Sequence, residues 1–209
     1  MAKTGQTAPT RSNLLRLQHE VEQARAGYEL LDHKREVIVH ELLQMLDDAE
    51  HSVHEAETRF HVAYEALIEA RMRMGAERLH WASLAPAAEI RAAIGLRSIM
   101  GVAVPLVQWE VTPLPLAYGL SDTSAALDEA RARWLDVAER LGHLAEITTT
   151  VWRLATELQK TQRRVNALDH VLIPQLDAEI AQITNVLEEH EREAFVRAKR
   201  VKALQEEKS

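Results

Sequence analysis

Two stretches of this chain contain almost nothing that stops a helix. Between Arg11 and Trp81 the only glycines or prolines are Gly27 and Gly75, and between Thr123 and Leu204 only Gly142 and Pro174 occur. Pro86, Gly95, Gly101, Pro105, Pro113, Pro115 and Gly119 crowd instead into the short segment that separates them. A glycine inside a helix costs about 1 kcal/mol relative to alanine and a proline about 3 kcal/mol. The two bare stretches therefore read as helices of roughly 75 residues, each on the order of 100 Å long at 1.5 Å per residue. A compact domain has no room for rods of that length, so their apolar residues must be buried along a line.

The line is visible as a heptad. In the first stretch apolar positions step by three and four through Leu14, Leu17, Val21, Ala24, Tyr28 and Leu31, pass Arg35, and continue through Ile38, Leu42, Met45 and Ala49. A second step of four, to Val53, precedes Ala56, Phe60, Ala63, Leu67, Ala70 and Met74, and reads as a stutter that unwinds the supercoil locally. The second stretch carries Leu127, Ala130, Trp134, Val137, Leu141, Leu144, Thr148, Val151, Ala155, Leu158, Gln162 and Val165, then Leu168, Leu172, Leu176, Ile180, Ile183 and Leu187. Thr10, behind Pro9, is the expected cap of the first helix, and Ser121, Asp122 and Thr123 are the candidates for the second.

Equal seams joined by a short insert must fold back on each other. The expected fold is all-α: a long antiparallel two-stranded left-handed coiled coil of the N- and C-terminal helices, with a small central head. The expected division is a flexible N-terminus over 1–10, the first long helix over 11–83, the head over 84–121, the second long helix over 122–204 and a flexible C-terminus over 205–209. Residues whose numbers sum to about 205 should face one another, which sets Arg35 near Leu172 to Pro174, where the proline should kink its helix. In the head, Ala87 to Ile94 suits a short helix, and Ile99 to Trp109 with Ala117 to Leu120 suits a hairpin with Pro105 at its edge.

Composition agrees with this architecture and narrows the function. Aromatic residues are 4% and charged residues 27% of the chain, as in long helices and coiled coils. The absence of cysteine excludes disulfides, thiolate metal sites and a cysteine nucleophile. A net charge of -7 argues against nucleic acid as the main partner. No run of apolar residues spans a membrane or serves as a signal peptide, so the chain is expected in the cytoplasm, reaching a membrane only through a partner. Ten histidines invite a metal reading, but only Glu77 and His80 have the Glu-x-x-His spacing of a carboxylate centre, which needs two such pairs and two further Glu. No phosphate loop or nucleophile motif occurs, so neither catalytic residue, cofactor nor metal is expected. One charged cluster stands out: Arg197, Lys199, Arg200 and Lys202, brought by the antiparallel register to the end that holds Arg11 and Arg16. They form a basic collar suited to acidic loops of a surrounding protein.

Three separated stretches resemble the D subunit of the V/A-type rotary ATPases, the central rotor stalk. They are Pro9-Thr10-Arg11 with Leu14, Leu17, Ala24, Gly27, Leu30, Leu31, Lys34 and Arg35; then Ile99 to Pro105 with Tyr118-Gly119 and Ala126-Leu127-Asp128; and Arg163-Arg164-Val165-Asn166-Ala167-Leu168-Asp169 followed by Ile173-Pro174, Leu187-Glu188-Glu189, Glu191-Arg192-Glu193, Lys199 and Lys202. The resemblance implies a non-catalytic shaft that links the A and B catalytic-head subunits to the membrane ring. The small central-stalk F subunit and a membrane-side connecting subunit would be its other partners, and rotation would couple ATP hydrolysis or synthesis to H⁺ or Na⁺ transport. It further implies that Arg11, Leu14, Arg192, Arg197, Lys199 and Lys202 contact the catalytic head. Lys34, Arg35, Arg163, Arg164, Asn166 and Pro174 would form the shaft signature, and Ile99, Val104, Pro105, Tyr118 and Gly119 would belong to the head. Asp32 departs from the family, which usually has a base there. The heptads alone also fit a coiled-coil tether or adaptor, and the Glu77/His80 pair alone an iron carboxylate enzyme.

Overall fold

The computed structural model describes residues 8–119 and 123–206, with side chains through 202. In chain order the elements are helix α1 (Arg11–Met74), helix α2 (Ala76–Ser83), strands β1 (Ala88–Ile99) and β2 (Val102–Pro113), helix α3 (Ala125–Ala167), a π-helical turn (Leu168–Leu172) and helix α4 (Ile173–Glu206). The chain divides into two compact units, one of residues up to Arg35 with those from Gln159 onward, the other Glu36–Leu158. No helix among the described residues is long and apolar enough to cross a membrane.

In the first unit the start of α1 lies antiparallel to α4. Its core is a single line of side chains, Leu17 and Val21 against Leu176 and Ile183, flanked by Leu14, Ala24, Ile173, Ile180 and Leu187. Thr10 caps α1 as expected: its Oγ1 accepts the Asn13 N–H at 3.2 Å, while Asn13 Nδ2 donates to the Ala8 carbonyl at 2.8 Å. Two cross-helix ion pairs fix the register, Arg11 with Glu191 and Arg25 with Asp177 at 3.0 Å. Both pairs sum to 202, three residues short of the expected register and so close to one turn away.

Pro174 is accompanied by a local change of helix type. It has no N–H to offer the carbonyl four residues back, and the helix absorbs the defect just before it by widening to a π turn, in which the Ile173 N–H reaches the Leu168 carbonyl. The turn buries none of its own residues, and Val171 and Leu172 face outward.

In the second unit α1 runs antiparallel to α3, with Arg59 paired to Asp136 and Arg140 3.7 Å from Glu55. Here the expected stutter does not occur. Val53 and Phe60 lie on the exposed side, and the heptad continues unbroken from Ala49 through Ser52, Ala56, Arg59, Ala63, Ala66 and Ala70. The larger apolar residues were the wrong guide, because the helices meet through small ones: Ala70 packs on Ala126 and Ala130. On α3 the expected seam holds at Leu127, Ala130, Val137 and Val165, but between them the buried positions include Ile147, Thr150 and Leu154, one residue before the Thr148, Val151 and Ala155 expected there. The shift has a cause in the hairpin, whose Val104 is fully buried between Ile38 of α1 and Leu154 of α3.

Gly75, at φ 83 and ψ 157, ends α1 and starts α2 in a conformation only glycine adopts freely. Residues 87–94 are not the expected helix. Alternation of Ile90, Ala92 and Ile94 pairs them opposite Val111, Trp109 and Val107, so tertiary pairing overrides the helix preference of the alanines. The hairpin closes through Met100 and Gly101, both at positive φ (49 and 79), the signature of a two-residue turn whose twist matches its strands. It therefore pairs β1 with β2, whereas 117–119 is not strand and Leu120, Ser121 and Asp122 lie outside the described residues. Pro105 is buried opposite Leu96 at a position whose backbone faces away from β1, so its missing N–H lies on the edge, as expected, and costs the ladder no bond.

Strand β2 lies along α3, held by polar side chains that satisfy its free edge. Arg153 donates to the Ala103 carbonyl (2.7 Å), Glu146 accepts the Val107 N–H (2.9 Å), the Trp109 indole donates to the Ala138 carbonyl (2.8 Å), and Arg131 donates to the carbonyls of Ala87 (3.0 Å) and Leu114. The spacing is commensurate: Ala103 to Leu114 spans about 36 Å of strand, and Arg131 to Arg153 about 33 Å of helix. Gly142 allows the approach, since a Cβ there would stand 2.3 Å from Trp109. Glycine to alanine in mid-helix normally stabilises by about 1 kcal/mol. Gly142→Ala should instead lower the melting temperature and expose Trp109, seen by thermal unfolding and tryptophan fluorescence.

Candidate functional site

All the expected catalytic-head contacts lie in the first unit, but they do not make one continuous basic collar. Arg11 is neutralised by Glu191 across the helix pair, Arg16 by Glu20 (2.6 Å), Arg192 by Glu188 (3.4 Å) and Arg197 by Glu193 (2.9 Å). Leu14 packs on the apolar core rather than facing out. The register leaves α4 longer than its partner: Glu191 already stands level with Arg11, the first residue of α1. Residues 192–202 are consequently all exposed, including Phe195, Val196 and Val201. Glu188, Glu189 and Glu191 occupy the level of the helix pair, and Glu193 and then the bases Arg197, Lys199, Arg200 and Lys202 follow on the overhang. The end is thus a single helix with exposed apolar and basic side chains interspersed around its circumference, which offers a partner more than charge alone.

The shaft-signature residues also fall in the first unit. Arg35 is half-buried and ion-paired at 2.8 Å with Asp32 one turn back on its own helix, which gives that acid a role despite its departure from the resemblance. Lys34 is half-buried. Arg163 and Arg164 are exposed, Asn166 accepts from Gln162 at 2.8 Å, and Pro174 is exposed directly after the π turn. The exposed Val171 and Leu172 adjoin these residues in the chain.

The head residues fall in the second unit. Val104 and Ile99 belong to the cluster with Ile38 and Leu154, and Pro105 is buried. Tyr118 donates its hydroxyl to Asp128, and the Gly119 carbonyl accepts from Thr123 Oγ1 at 3.0 Å, so the chain is tied down where it enters α3. Burial first, and then the hydrogen bond to Asp128, push the Tyr118 hydroxyl up to about 12.

Sequence reasoning missed a charged network between α1 and α3. Arg59, half-buried, donates to Glu55 on its own helix (2.8 Å) and to Asp136 across the pair. Its hydrogen bond, with help from the nearby Arg140, holds the Glu55 carboxyl below its ordinary value of 4.5, so the network is intact above that value and weakens as pH falls through the lowered one. Beside it an apolar groove of about 460 Å³ is lined by Phe60, Tyr64, Val137, Leu141 and Leu144, with Phe60 edge-on to Trp134 at 5.2 Å. The sequence signal was present: an arginine at the unbroken heptad position, with the aromatic residue displaced by one. Glu77 and His80 gain no third ligand, and no group of three His, Asp or Glu gathers among the described residues.

Long helix pairs, a hairpin laid along one of them and a basic overhang occur together over a continuous stretch that a family model also covers. The model of the ATP synthase D subunit matches residues 13–203. The chain belongs to the family of ATP synthase D subunits. It is 40% identical over 202 residues to the A-type ATP synthase D subunit of Methanopyrus kandleri, covering 96% of this chain and 87% of that one. It is also 40% identical over 197 residues to the V-type ATP synthase D subunit of Thermotoga neapolitana (93% and 96% covered), and 36% over 212 residues to the A-type counterpart of Thermococcus gammatolerans (100% and 99%). These matches span the overhang, the π turn and the hairpin alike, so the chain is one component of a multi-subunit complex of that type.

The tyrosine provides a test of the head's attachment. Above pH 10.0 the unfolded chain ionises this residue while the folded chain resists until about 12, so stability should decline over that window. Tyr118→Phe should flatten the decline, measured by denaturant unfolding at successive alkaline pH values.

Proposed function

We propose that this chain is the central rotor shaft of its A/V-type complex, a non-catalytic component that carries rotation between the A and B catalytic head and the ion-translocating membrane ring. The exposed overhang of α4 carries the reading. A helix that outruns its partner and presents Phe195, Val196 and Val201 with Arg197, Lys199 and Arg200 is unfinished as a solvent-facing surface and fits the inside of a ring of larger subunits. Arg11, Arg192 and Lys202 lie at or next to that end and would meet the head, with Leu14 supporting the seam beneath them.

The narrow seam suits torque. Two helices sharing one line of apolar contacts resist bending better than either alone, and the π turn before Pro174 supplies a local point of compliance. The small F subunit and a membrane-side connecting subunit would hold the rest of the shaft, with Arg163, Arg164 and the neighbouring signature residues among the groups that meet them. The complex would then lie on the cytoplasmic face of the membrane, coupling ATP hydrolysis or synthesis to transport of H⁺ or Na⁺.

Ending the chain after Glu193 removes residues 194–202, all exposed, with those beyond them, and leaves Leu176 and Ile183 of the seam in place, so helicity and melting temperature should change little. ATP-driven ion pumping should be lost or strongly reduced. Pumping at the full rate with the shortened chain would contradict the proposed seat of the overhang. Tagged full-length chain recovered in mild detergent should bring two nucleotide-binding subunits and ATPase activity with it, whereas a tether would emerge without either.

A further inference from the structure

The two edges of the hairpin are treated differently. The outer edge of β2 is closed by α3, because Val107 gives its N–H to Glu146 and Ala103 its carbonyl to Arg153. Odd-numbered residues of β2 thus point their backbone away from β1, and even-numbered ones pair with it. By the same alternation Ile90, Ala92, Ile94 and Leu96 of β1 point their N–H and C=O groups outward, with no element beyond them among the described residues. All of β1 between its end residues is exposed, including Ile94 at 71% and Leu96 at 69%. The strand is twelve residues long and has no proline. A long, apolar, uncovered edge is a template for another strand.

The sequence of that edge is complementary to itself. In an antiparallel pairing about a two-fold axis at Ala93, Ala92 stands opposite Ile94 and Ile90 opposite Leu96, each as a pair that exchanges backbone hydrogen bonds. The same register sets Glu89 opposite Arg97, twice. Moving each partner so that Ile94 faces itself would oppose Arg91 to Arg97, and moving it so that Ala92 faces itself leaves all three charges without a partner of opposite sign. The charges are free to take this arrangement. Glu89 now accepts from Arg91 at 3.0 Å, but Arg91 also stands directly opposite Glu110 of β2, which can take it over. Arg97 is exposed and makes no ion pair among the described residues.

We propose that two copies of this chain pair through the outer edge of β1, making a four-stranded antiparallel sheet centred on Ala93. A shaft turns as a single copy, so the pair is a form of the chain that precedes assembly and keeps the edge from indiscriminate strand addition. The interface is short, and the pair forms only as concentration rises.

Sedimentation equilibrium on the purified full-length chain should show the mass rising from 23.6 kDa towards twice that value with concentration. Arg97→Glu sets two like-charged pairs face to face and should weaken association by about tenfold. Adding Glu89→Arg to the same chain restores both pairs and should restore association, with circular dichroism unchanged throughout. Amide exchange at Ala92 and Ile94 should slow with concentration while that at Ala93 does not. A chain that stays monomeric at every concentration would overturn the proposal. So would association that ignores Arg97→Glu, or that the double variant fails to recover.

Discussion

Two helices can bury only a stripe, and nearly every feature of this chain answers to that limit. A residue in a layered domain is covered from several sides, whereas here a heptad position is covered from one. In the first unit the line is thin: Leu17, Val21, Leu176 and Ile183 form its buried cluster, and Thr161 and Val165 are the other buried side chains among the described residues. Stability then depends on keeping register, because a slip by one residue turns the stripe outward. Register is held by ion pairs that span the helices, Arg11 to Glu191 and Arg25 to Asp177 in the first unit and Arg59 to Asp136 in the second. Each pair is at least partly exposed and modest in energy. Their value lies in selecting one alignment among several that bury similar area.

The second unit escapes the limit by recruiting the hairpin. Val104 enters between Ile38 and Leu154, and Trp109 settles on Gly142, so α3 is covered from two directions. This is why α3 buries Thr150 and Leu154 rather than the residues that a two-helix seam selects. The same docking removes one edge of the sheet from solvent and leaves the other, an asymmetry that follows from two strands meeting one helix.

What was legible in the residues was the class of object. Breaker-poor stretches, the heptads of early α1 and of α4 and the Thr10 cap appear where they were expected, because each is local. What was not legible depended on partners distant in the chain. Ala88 to Ile94 has the composition of a helix and becomes a strand because Trp109, Val107 and Val111 lie opposite. Val53 and Phe60 have the size of seam residues, yet Ser52 and Arg59 occupy the seam, since small and paired polar groups fit between closely spaced helices. The π turn just before Pro174 is one of several local answers to a missing N–H, and sequence alone does not decide among them. The candidate site was legible in placement more than in character: the overhang lies where the basic cluster pointed, but its bases near Arg11 are matched by acids, and the apolar share of its surface, Phe195, Val196 and Val201, emerges only once α4 is seen to outrun α1.

The central claim is that the chain turns. It has no cysteine, so Ser98→Cys on the exposed part of β1 gives a single attachment point for a bead or rod. With the purified complex fixed to glass through its catalytic subunits and ATP supplied, the account predicts steady rotation of the probe in one direction, stopping when ATP is removed. A probe that remains still while the same immobilised complexes hydrolyse ATP would contradict it.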